Sequence, residues 1–289
     1  TTVTPLGKLV VYLHGAGAPA VCGSKAHGQL LAGLGFHVLH PCYSSDYGVG
    51  NCGDDIGGCR LEAFEGIDHH PFITITPPDS IETRVVKALE HLQSIHPGGD
   101  WQYFLDNGAP RWSQIIISGI SHGASTSGLV GIVREVDRAV MLSGPLDSGQ
   151  AWLKQAPLTA IDRFYGFTHT ADGQHAGHLV SFADMMLVAL GTPADILPGA
   201  TAYARIMLIA APGVFTFLLA TSMLRGVGDT RTPLLTLLIS TAVGLLLTPG
   251  LIRGWLGLPA LGVTSGAWAA VASYLIALGW TARHLLRQH

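Results

Sequence analysis

Charge is scarce in this sequence and unevenly spread. Only 12% of the 289 residues are Asp, Glu, Lys or Arg, and the mean hydropathy is +0.39. Residues 184–289 hold six basic and three acidic residues, whereas residues 1–183 hold ten basic and 16 acidic ones. Nine charges are too few to solvate a globular surface of 106 residues. We therefore predict a soluble domain at 1–183 and a membrane segment at 184–289.

A basic surface is also missing. The first part has a formal charge of 10 − 16 = −6, and the six positive residues of the second part form no stripe. Proteins that bind nucleic acid usually carry a basic patch, so we exclude nucleic acid as a partner. We expect no cofactor and no metal ion.

Cysteine is confined to the first fifth of the chain, at Cys22, Cys42, Cys52 and Cys59. An even number, clustered in a loop rich in Gly, Asp and Tyr, favours one or two disulfides and an exported setting. Cys52 and Cys59 are the easiest pair to close. A zinc site is a weaker alternative because the C-x₆-C spacing is not that of a zinc knuckle, and reduced buried thiols are a third.

Formal charge is absent from three runs of about twenty residues, at 206–224, 233–252 and 261–282. Each run is long enough to cross a bilayer as a helix, so lipid is an expected partner. Arg225 and Arg231 flank the first connecting loop, and Arg283 and Arg287 follow the third run. The positive-inside rule then places that loop and the C-terminus in the cytoplasm and the N-terminal domain on the exported side.

The side chains that an ion or drug pathway normally needs are missing from these runs, because none contains Asp, Glu, Lys, Arg or His. The third run instead carries small residues that allow close helix contact and homo-oligomer formation: Gly262, Gly266, Ala267, Ala269 and Ala270.

Apolar strands alternate with helices in the first part. Strands are predicted at 8–13, 36–40, 115–117, 138–143 and 163–168, and an amphipathic helix capped by Ser80 at 81–95. A strand-helix-strand order implies parallel pairing. Residues 41–78 are predicted to be a disulfide-tied insertion with little regular structure.

One turn in this part has the pattern of a nucleophile elbow. The residues Gly119-Ile120-Ser121-His122-Gly123 follow an apolar strand and fit G-x-S-x-G, in which glycines allow a serine to stand exposed at a sharp strand-to-helix turn. The backbone N–H of His122 and those of the earlier turn at Gly15 and Ala16 are the predicted oxyanion donors. The alternative is an ordinary strand-turn-helix with a surface serine.

A nucleophilic serine needs a base and an acid that orients it. Asp172 and the alternative acid Asp147 each follow a predicted strand, and His175 and His178 are the available bases. Both histidines are so close to Asp172 that they would have to fold back within one loop. The spacing also resembles a metal site made with His169, and a polar loop is the plainest interpretation.

Several motifs of the first part occur in the order of a known family. The strings LHGAG, GISHGAS, VMLSGPLD and RFYGFTHTADGQHAGH, with Ala151-Trp152, resemble bacterial α/β-hydrolase-fold serine esterases over residues 8–182. The resemblance implies Ser121 as nucleophile, Asp172 as acid, and a last strand and histidine further on, where this chain departs from the family. The expected fold is α/β: an incomplete α/β-hydrolase-like, mostly parallel sheet, then an all-α segment of three transmembrane helices.

The second part resembles an unrelated family. The strings LGTPADILPGATAYARI, LRGVGDTRTPL and LPALGVTSGAWAA are similar to the multidrug and toxic compound extrusion (MATE) transporters over residues 187–282. The resemblance implies about twelve spans in two pseudo-symmetric lobes, with the substrate site between them. Three spans cannot enclose such a pathway.

The main functional prediction is a membrane-tethered serine hydrolase of esterase or lipase type, in which Ser121 attacks a small-molecule acyl ester. The first alternative is a fragment of a MATE-like multidrug and cation antiporter that assembles with other chains. The second is a non-functional or artificial fusion, since two incomplete families meet at residues 182–184 without a Gly/Ser/Pro linker.

Overall fold

The computed structural model describes residues 3–17, 22–192 and 195–286 and divides the chain into two compact units. The first covers Thr1–Leu190 and the second Gly191–His289. The predicted boundary after residue 183 falls inside a continuous helix at His175–Ala189. The boundary between the two units lies after that helix, between Leu190 and Gly191.

The first unit is built on a five-stranded parallel sheet, which confirms the predicted mostly parallel sheet. The order is β2-β1-β5-β6-β7, and a separate antiparallel ribbon pairs β3 with β4. The strands are β1 (Leu9–Leu13), β2 (His37–Leu39), β3 (Leu105–Asp106), β4 (Ala109–Pro110), β5 (Ile115–Ile120), β6 (Arg138–Leu142) and β7 (Phe164–Phe167).

In the described part of this unit there are six α-helices: α1 (Lys25–Gly33), α2 (Val49–Cys52), α3 (Ile56–Glu65), α4 (Ile81–Ile95), α5 (His122–Val133) and α6 (His175–Ala189). Helix α4 begins where predicted, because the Ser80 hydroxyl accepts the N–H of Thr83 at 3.2 Å. Its side chains Ile81, Val85 and Leu89 recur at four-residue steps and are fully buried in the main core.

The insertion at 41–78 contains more regular structure than its composition indicates. Helices α2 and α3 lie within it, and α3 is buried over most of its length. The Asp55 side chain caps α3 by accepting the N–H of Gly58 at 2.9 Å, and Gly66 ends the helix with φ 75°. The prediction of little regular structure is wrong because these local caps and the burial of α3 stabilise a helix that Gly-rich composition disfavours.

Over the described residues of the second unit, at 191–192 and 195–286, there are three long helices, α7 (Leu197–Gly226), α8 (Arg231–Arg253) and α9 (Ser265–Leu286). The segments Leu197–Gly226, Arg231–Arg253 and Gly262–Leu286 are long and apolar enough to cross a membrane, which confirms the three predicted spans. At most 28% of any of their most apolar windows is buried within the protein. The remaining apolar surface indicates a lipid environment.

Candidate functional site

Ser121 lies in the turn between β5 and α5. Its backbone has φ 54° and ψ −117°, a conformation that residues other than glycine rarely adopt. The turn is held because the N–H of Ser121 donates to the carbonyl of Leu142 at 2.9 Å. The side chain is exposed at the C-terminal edge of the central strand. The catalytic role of Ser121 stays a prediction.

The neighbouring glycines are required by close backbone contact. A Cβ atom on Gly119 would lie 2.4 Å from the backbone of Gly123, and one on Gly123 would lie 2.2 Å from the Leu13 carbonyl oxygen. The turn after β1 also approaches Ser121, since a Cβ on Gly15 would lie 3.5 Å from Ser121 Cβ. Ala16 is exposed beside it. The structure thus brings Gly15 to Ser121, while the oxyanion role stays a prediction.

His122, the first residue of α5, is buried beneath this turn. Its ring lies edge-on to Tyr47 with centroids 4.6 Å apart, and Nε2 has no hydrogen-bond partner among the described residues. Burial, then the positive charge of Arg60 and the nearby His14, lower the pKa of His122 to about 2. His122 is therefore neutral over the physiological range.

Asp172 and the two candidate histidines come together at the start of α6. His178 Nδ1 lies 3.9 Å from Asp172 Oδ2 and 2.9 Å from the Thr168 hydroxyl, which is also 3.2 Å from His175 Nδ1. His178 is fully buried, and burial lowers its pKa despite the opposing effect of Asp172. The pKa of Asp172 is lowered, chiefly because its carboxylate accepts a hydrogen bond from the backbone N–H of Gln174. His175 and His178 thus lie in the first turn of α6 and not in one loop with Asp172, and the catalytic roles of the three residues stay predictions.

This cluster does not form a hydrogen-bonded triad with Ser121. Over residues 3–17, 22–192 and 195–286, no hydrogen bond joins the Ser121 hydroxyl to His175 or His178. The Nε2 atom of His178 is buried without a partner among those residues. Asp172 is therefore close to His178, but neither candidate histidine is hydrogen-bonded to Ser121 in the described structure.

The alternative acid Asp147 forms a buried ion pair with Arg60. Arg60 Nε donates to Asp147 Oδ2 at 2.9 Å and Arg60 Nη2 to Oδ1 at 3.1 Å, and the Trp152 indole donates to Oδ2 at 3.0 Å. Arg60 Nη1 also donates to the His122 carbonyl at 3.0 Å and to Thr126. Both oxygens of Asp147 are thus engaged, and no histidine among the described residues hydrogen-bonds to it. Arg60 joins α3 both to α5 and to the loop after β6 that carries Asp147.

All four cysteines form disulfides, Cys22–Cys42 and Cys52–Cys59. The predicted pairing of Cys52 with Cys59 is confirmed. The first bridge ties the segment before α1 to the one after β2, and the second ties α2 to α3.

Helices α8 and α9 of the second unit meet along small and hydroxyl side chains. The Thr236 and Thr281 hydroxyls form a buried hydrogen bond of 2.8 Å between the helices. A Cβ atom on Gly244 would lie 3.3 Å from the Ser273 hydroxyl. Such surfaces let helices approach closely in lipid. Small and hydroxyl residues are also among the buried residues of these two helices: Thr232, Thr236, Ser240, Ala269, Ser273, Ala277 and Thr281.

Asp229, in the loop between α7 and α8, caps the N-terminus of α8. Asp229 Oδ1 accepts the N–H of Arg231 at 3.1 Å and that of Thr232 at 3.0 Å. Hydrogen bonds from Thr232 lower the pKa of Asp229. The acidic residue of the GVGDTRTP string therefore sets the start of α8.

Comparison with known families assigns part of the chain. Residues 177–249 match the family model MatE. The C-terminal region has a MatE domain. The match begins in the first turn of α6, whose side chains Ser181 and Ala183 are fully buried in the first unit, and it continues through α7 into α8. It therefore starts ten residues before the predicted MATE resemblance at 187.

The curated relatives carry multidrug-resistance names. The chain is 41% identical over 88 residues to the probable multidrug resistance protein YoeA of Bacillus subtilis, covering 30% of this chain and 19% of that protein. It is 28% identical over 113 residues to the probable multidrug resistance protein NorM of Thermotoga maritima, covering 35% and 24%. NorM of Burkholderia mallei is 37% identical over 92 residues, covering 32% and 20%. The chain thus spans about a fifth to a quarter of the length of these relatives. No solved structure matches it.

These findings correct the functional prediction. A membrane-tethered serine hydrolase is contradicted by the MatE domain and the multidrug-resistance relatives, which favour the first alternative, a MATE-like transporter. The comparisons do not show the α/β-hydrolase resemblance of residues 8–182 or confirm a hydrolase-like fold. The MatE domain and three apolar helices indicate a membrane protein.

Sequence reasoning missed the buried charges around α3. Arg60 and Glu62 lie inside the insertion predicted to be irregular, yet both are buried, and each side chain makes several hydrogen bonds. Their spacing carries no motif. Arg60 finds its partners on Asp147 and α5, and Glu62 finds its partners in the loop that follows α3, so only the folded structure supplies them.

Proposed function

We propose that the second unit is part of a MATE-like transport assembly and that the chain acts in the efflux of drug-like compounds. The observation that carries this proposal is the coincidence of the MatE match at 177–249 with long apolar helices. The names of the relatives support multidrug compounds as substrates. Because three helices cannot enclose a pathway, further helices must come from outside residues 197–286.

The packing of the second unit suits such an assembly. Helices α8 and α9 are joined by a hydroxyl-lined contact, whereas other faces expose large apolar side chains. Six leucines of α8 are exposed among the described residues: Leu234, Leu235, Leu237, Leu238, Leu245 and Leu246. These faces are available to lipid or to further helices, including those of a second copy. Homo-oligomer formation stays a prediction, measured by the mass of the chain in detergent.

Efflux is tested in a bacterial host from which its own multidrug pumps have been deleted. Cells that express the chain should accumulate less ethidium, a fluorescent organic cation, and an uncoupler should abolish the difference. Asp229→Ala removes the acidic cap of α8 and should reduce efflux. Asp162→Ala, an exposed change in the first unit, is the control and should not. Equal ethidium levels with and without the membrane-inserted chain would refute the proposal.

We further propose that the first unit lies on the exported side of the membrane. Two disulfides support an oxidising setting, and the arginines beside the α7–α8 loop support a cytoplasmic loop. All four native cysteines are bonded, so single new cysteines report topology. A membrane-impermeant maleimide should label Pro259→Cys in intact cells and leave Val227→Cys unlabelled until the cells are opened. The opposite pattern would reverse the orientation.

A further inference from the structure

Three metal-ligating residues meet at the Cys52–Cys59 bridge. The sulfur atoms of Cys52 and Cys59 and a ring nitrogen of His70 all lie within 4.8 Å of one another. Both cysteines are buried, with exposures of 3% and 0%, whereas His70 is partly open to solvent. We propose that Cys52, Cys59 and His70 bind zinc when this disulfide is reduced. The disulfide and the zinc site are then alternative states of the same three residues.

The position of His70 is set by a carboxylate on the same helix as Cys59. Glu62 Oε2 accepts the N–H groups of His69 and His70, each at 3.0 Å, and Glu62 Oε1 accepts the N–H of Ile75 at 2.9 Å. Glu62 is itself buried, one helical turn after Cys59. The loop that carries His70 is therefore tied to α3 independently of the disulfide, and it stays near the cysteines after reduction.

The ligand set suits zinc. Two thiolates at about 2.3 Å and an imidazole nitrogen at about 2.0–2.1 Å are standard zinc ligands, and a water on the open side of His70 completes a tetrahedron. Ligand atoms around such an ion lie roughly 3.4–3.8 Å apart. Side-chain rotation is enough to reach that geometry from the present separation. The N–H of Phe72 donates to His70 Nδ1 at 3.1 Å, so zinc either binds the other nitrogen, Nε2, or takes the place of this N–H on Nδ1. In the second case the N–H passes to water, because Phe72 is exposed.

The change of state balances with a named reductant. A water-soluble phosphine cleaves the S–S bond and takes up the oxygen of one water molecule to become a phosphine oxide, while the two hydrogens of that water convert the two sulfurs to thiols. Each thiol then releases a proton as it binds the ion. Before oxidation, zinc would keep Cys52 and Cys59 together and away from Cys22 and Cys42. In an oxidising compartment, the disulfide of a thiol–disulfide exchange protein accepts the two electrons and is reduced to two thiols, Cys52 and Cys59 form their S–S bond, and the zinc ion leaves.

The test measures zinc binding by the full chain in detergent. The chain is reduced with the phosphine without oxygen, freed of reductant and titrated with zinc against a chromogenic chelator. We expect one zinc ion per reduced chain and none per oxidised chain. Cobalt in place of zinc should give the thiolate-to-metal charge-transfer band of a tetrahedral site. Zinc bound equally by the oxidised chain, or by neither form, would overturn the proposal.

Matched variants assign the ligands. His70→Gln should weaken zinc binding by at least about tenfold, whereas His69→Gln should not, since His69 pairs instead with Glu65 at 2.9 Å. Cys22→Ser with Cys42→Ser should leave binding intact. If reduction weakens the near-ultraviolet circular dichroism of the chain, zinc should restore it. No restoration, or wild-type affinity in His70→Gln, would count against the site.

Discussion

The buried Arg60–Asp147 pair is expected to be among the most costly polar contacts to break in the first unit. The two side chains are only 3% and 4% exposed and share two hydrogen bonds, with a third reaching Asp147 from Trp152. Asp147→Asn keeps the shape of the side chain but leaves the Arg60 charge buried without its counter-ion. Removing one partner of such a pair costs about 3–5 kcal/mol. We expect the free energy of unfolding to fall by that amount.

The measurement is urea unfolding of the full chain in detergent, followed by tryptophan fluorescence. Thermal melting should show a fall of about 6–20 °C for the first unit. The matched control is Glu90→Gln, because the Lys87–Glu90 pair is as short, 2.8 Å, but 71% and 47% exposed. That change should cost less than about 0.5 kcal/mol.

A double change separates the pair from its surroundings. Arg60→Met combined with Asp147→Leu leaves no uncompensated charge, so its cost should be smaller than the sum of the two single changes by about 1–3 kcal/mol. If Asp147→Asn costs less than about 1 kcal/mol, or if the single changes add, the pair is not desolvated and the reasoning fails.

Three further predictions concern particular residues. Ser121→Gly should raise the free energy of unfolding by about 1 kcal/mol, because it relieves backbone strain at φ 54°; a destabilised variant in thermal melting would contradict this. His122 is neutral when folded, with its pKa lowered to about 2 against 6.5 when unfolded, so its contribution to stability is complete above pH 6.5 and is lost as the pH falls below it, by at most about 1.4 kcal/mol per pH unit. His122→Leu should flatten that part of the pH–stability profile, whereas an unchanged profile would place the titration elsewhere. Thr236→Val removes the hydroxyl bond to Thr281 and should weaken α8–α9 association by about 0.6–1.7 kcal/mol in detergent unfolding, while the exposed Thr241→Val should have no effect.

Local sequence patterns were sufficient to predict a strand or helix wherever its buried side chains recur with the period of that element. The apolar runs that became β1, β5 and β6, and the four-residue steps of α4, appear in the structure close to their predicted positions. The three charge-free runs became long helices, and each extends beyond its predicted start or end. Backbone hydrogen bonds continue into flanking residues that hydropathy alone does not mark, since a helix needs no apolar side chain at its ends.

Contacts between distant residues could not be predicted in this way. Asp147 was weighed as a catalytic acid, yet it pairs with Arg60, which is 87 positions away. Helix α3 forms in a glycine-rich insertion because its caps and its packing outweigh its composition. The functional prediction failed for a related reason. The G-x-S-x-G pattern indicates a tight backbone turn, and such a turn does not by itself establish a catalytic activity.

The sequence by itself determined the two-part character of this protein, because the distribution of charge decides which residues can face water and which require lipid. It also determined the elbow turn, since only glycine tolerates the contacts at positions 119 and 123. Tertiary structure alone decided which polar groups meet: Arg60 with Asp147, Thr236 with Thr281, and His70 with the two cysteines. The physical reason is that hydrogen bonds and metal ligands act over a few ångströms, and only folding brings residues far apart in the chain within that range.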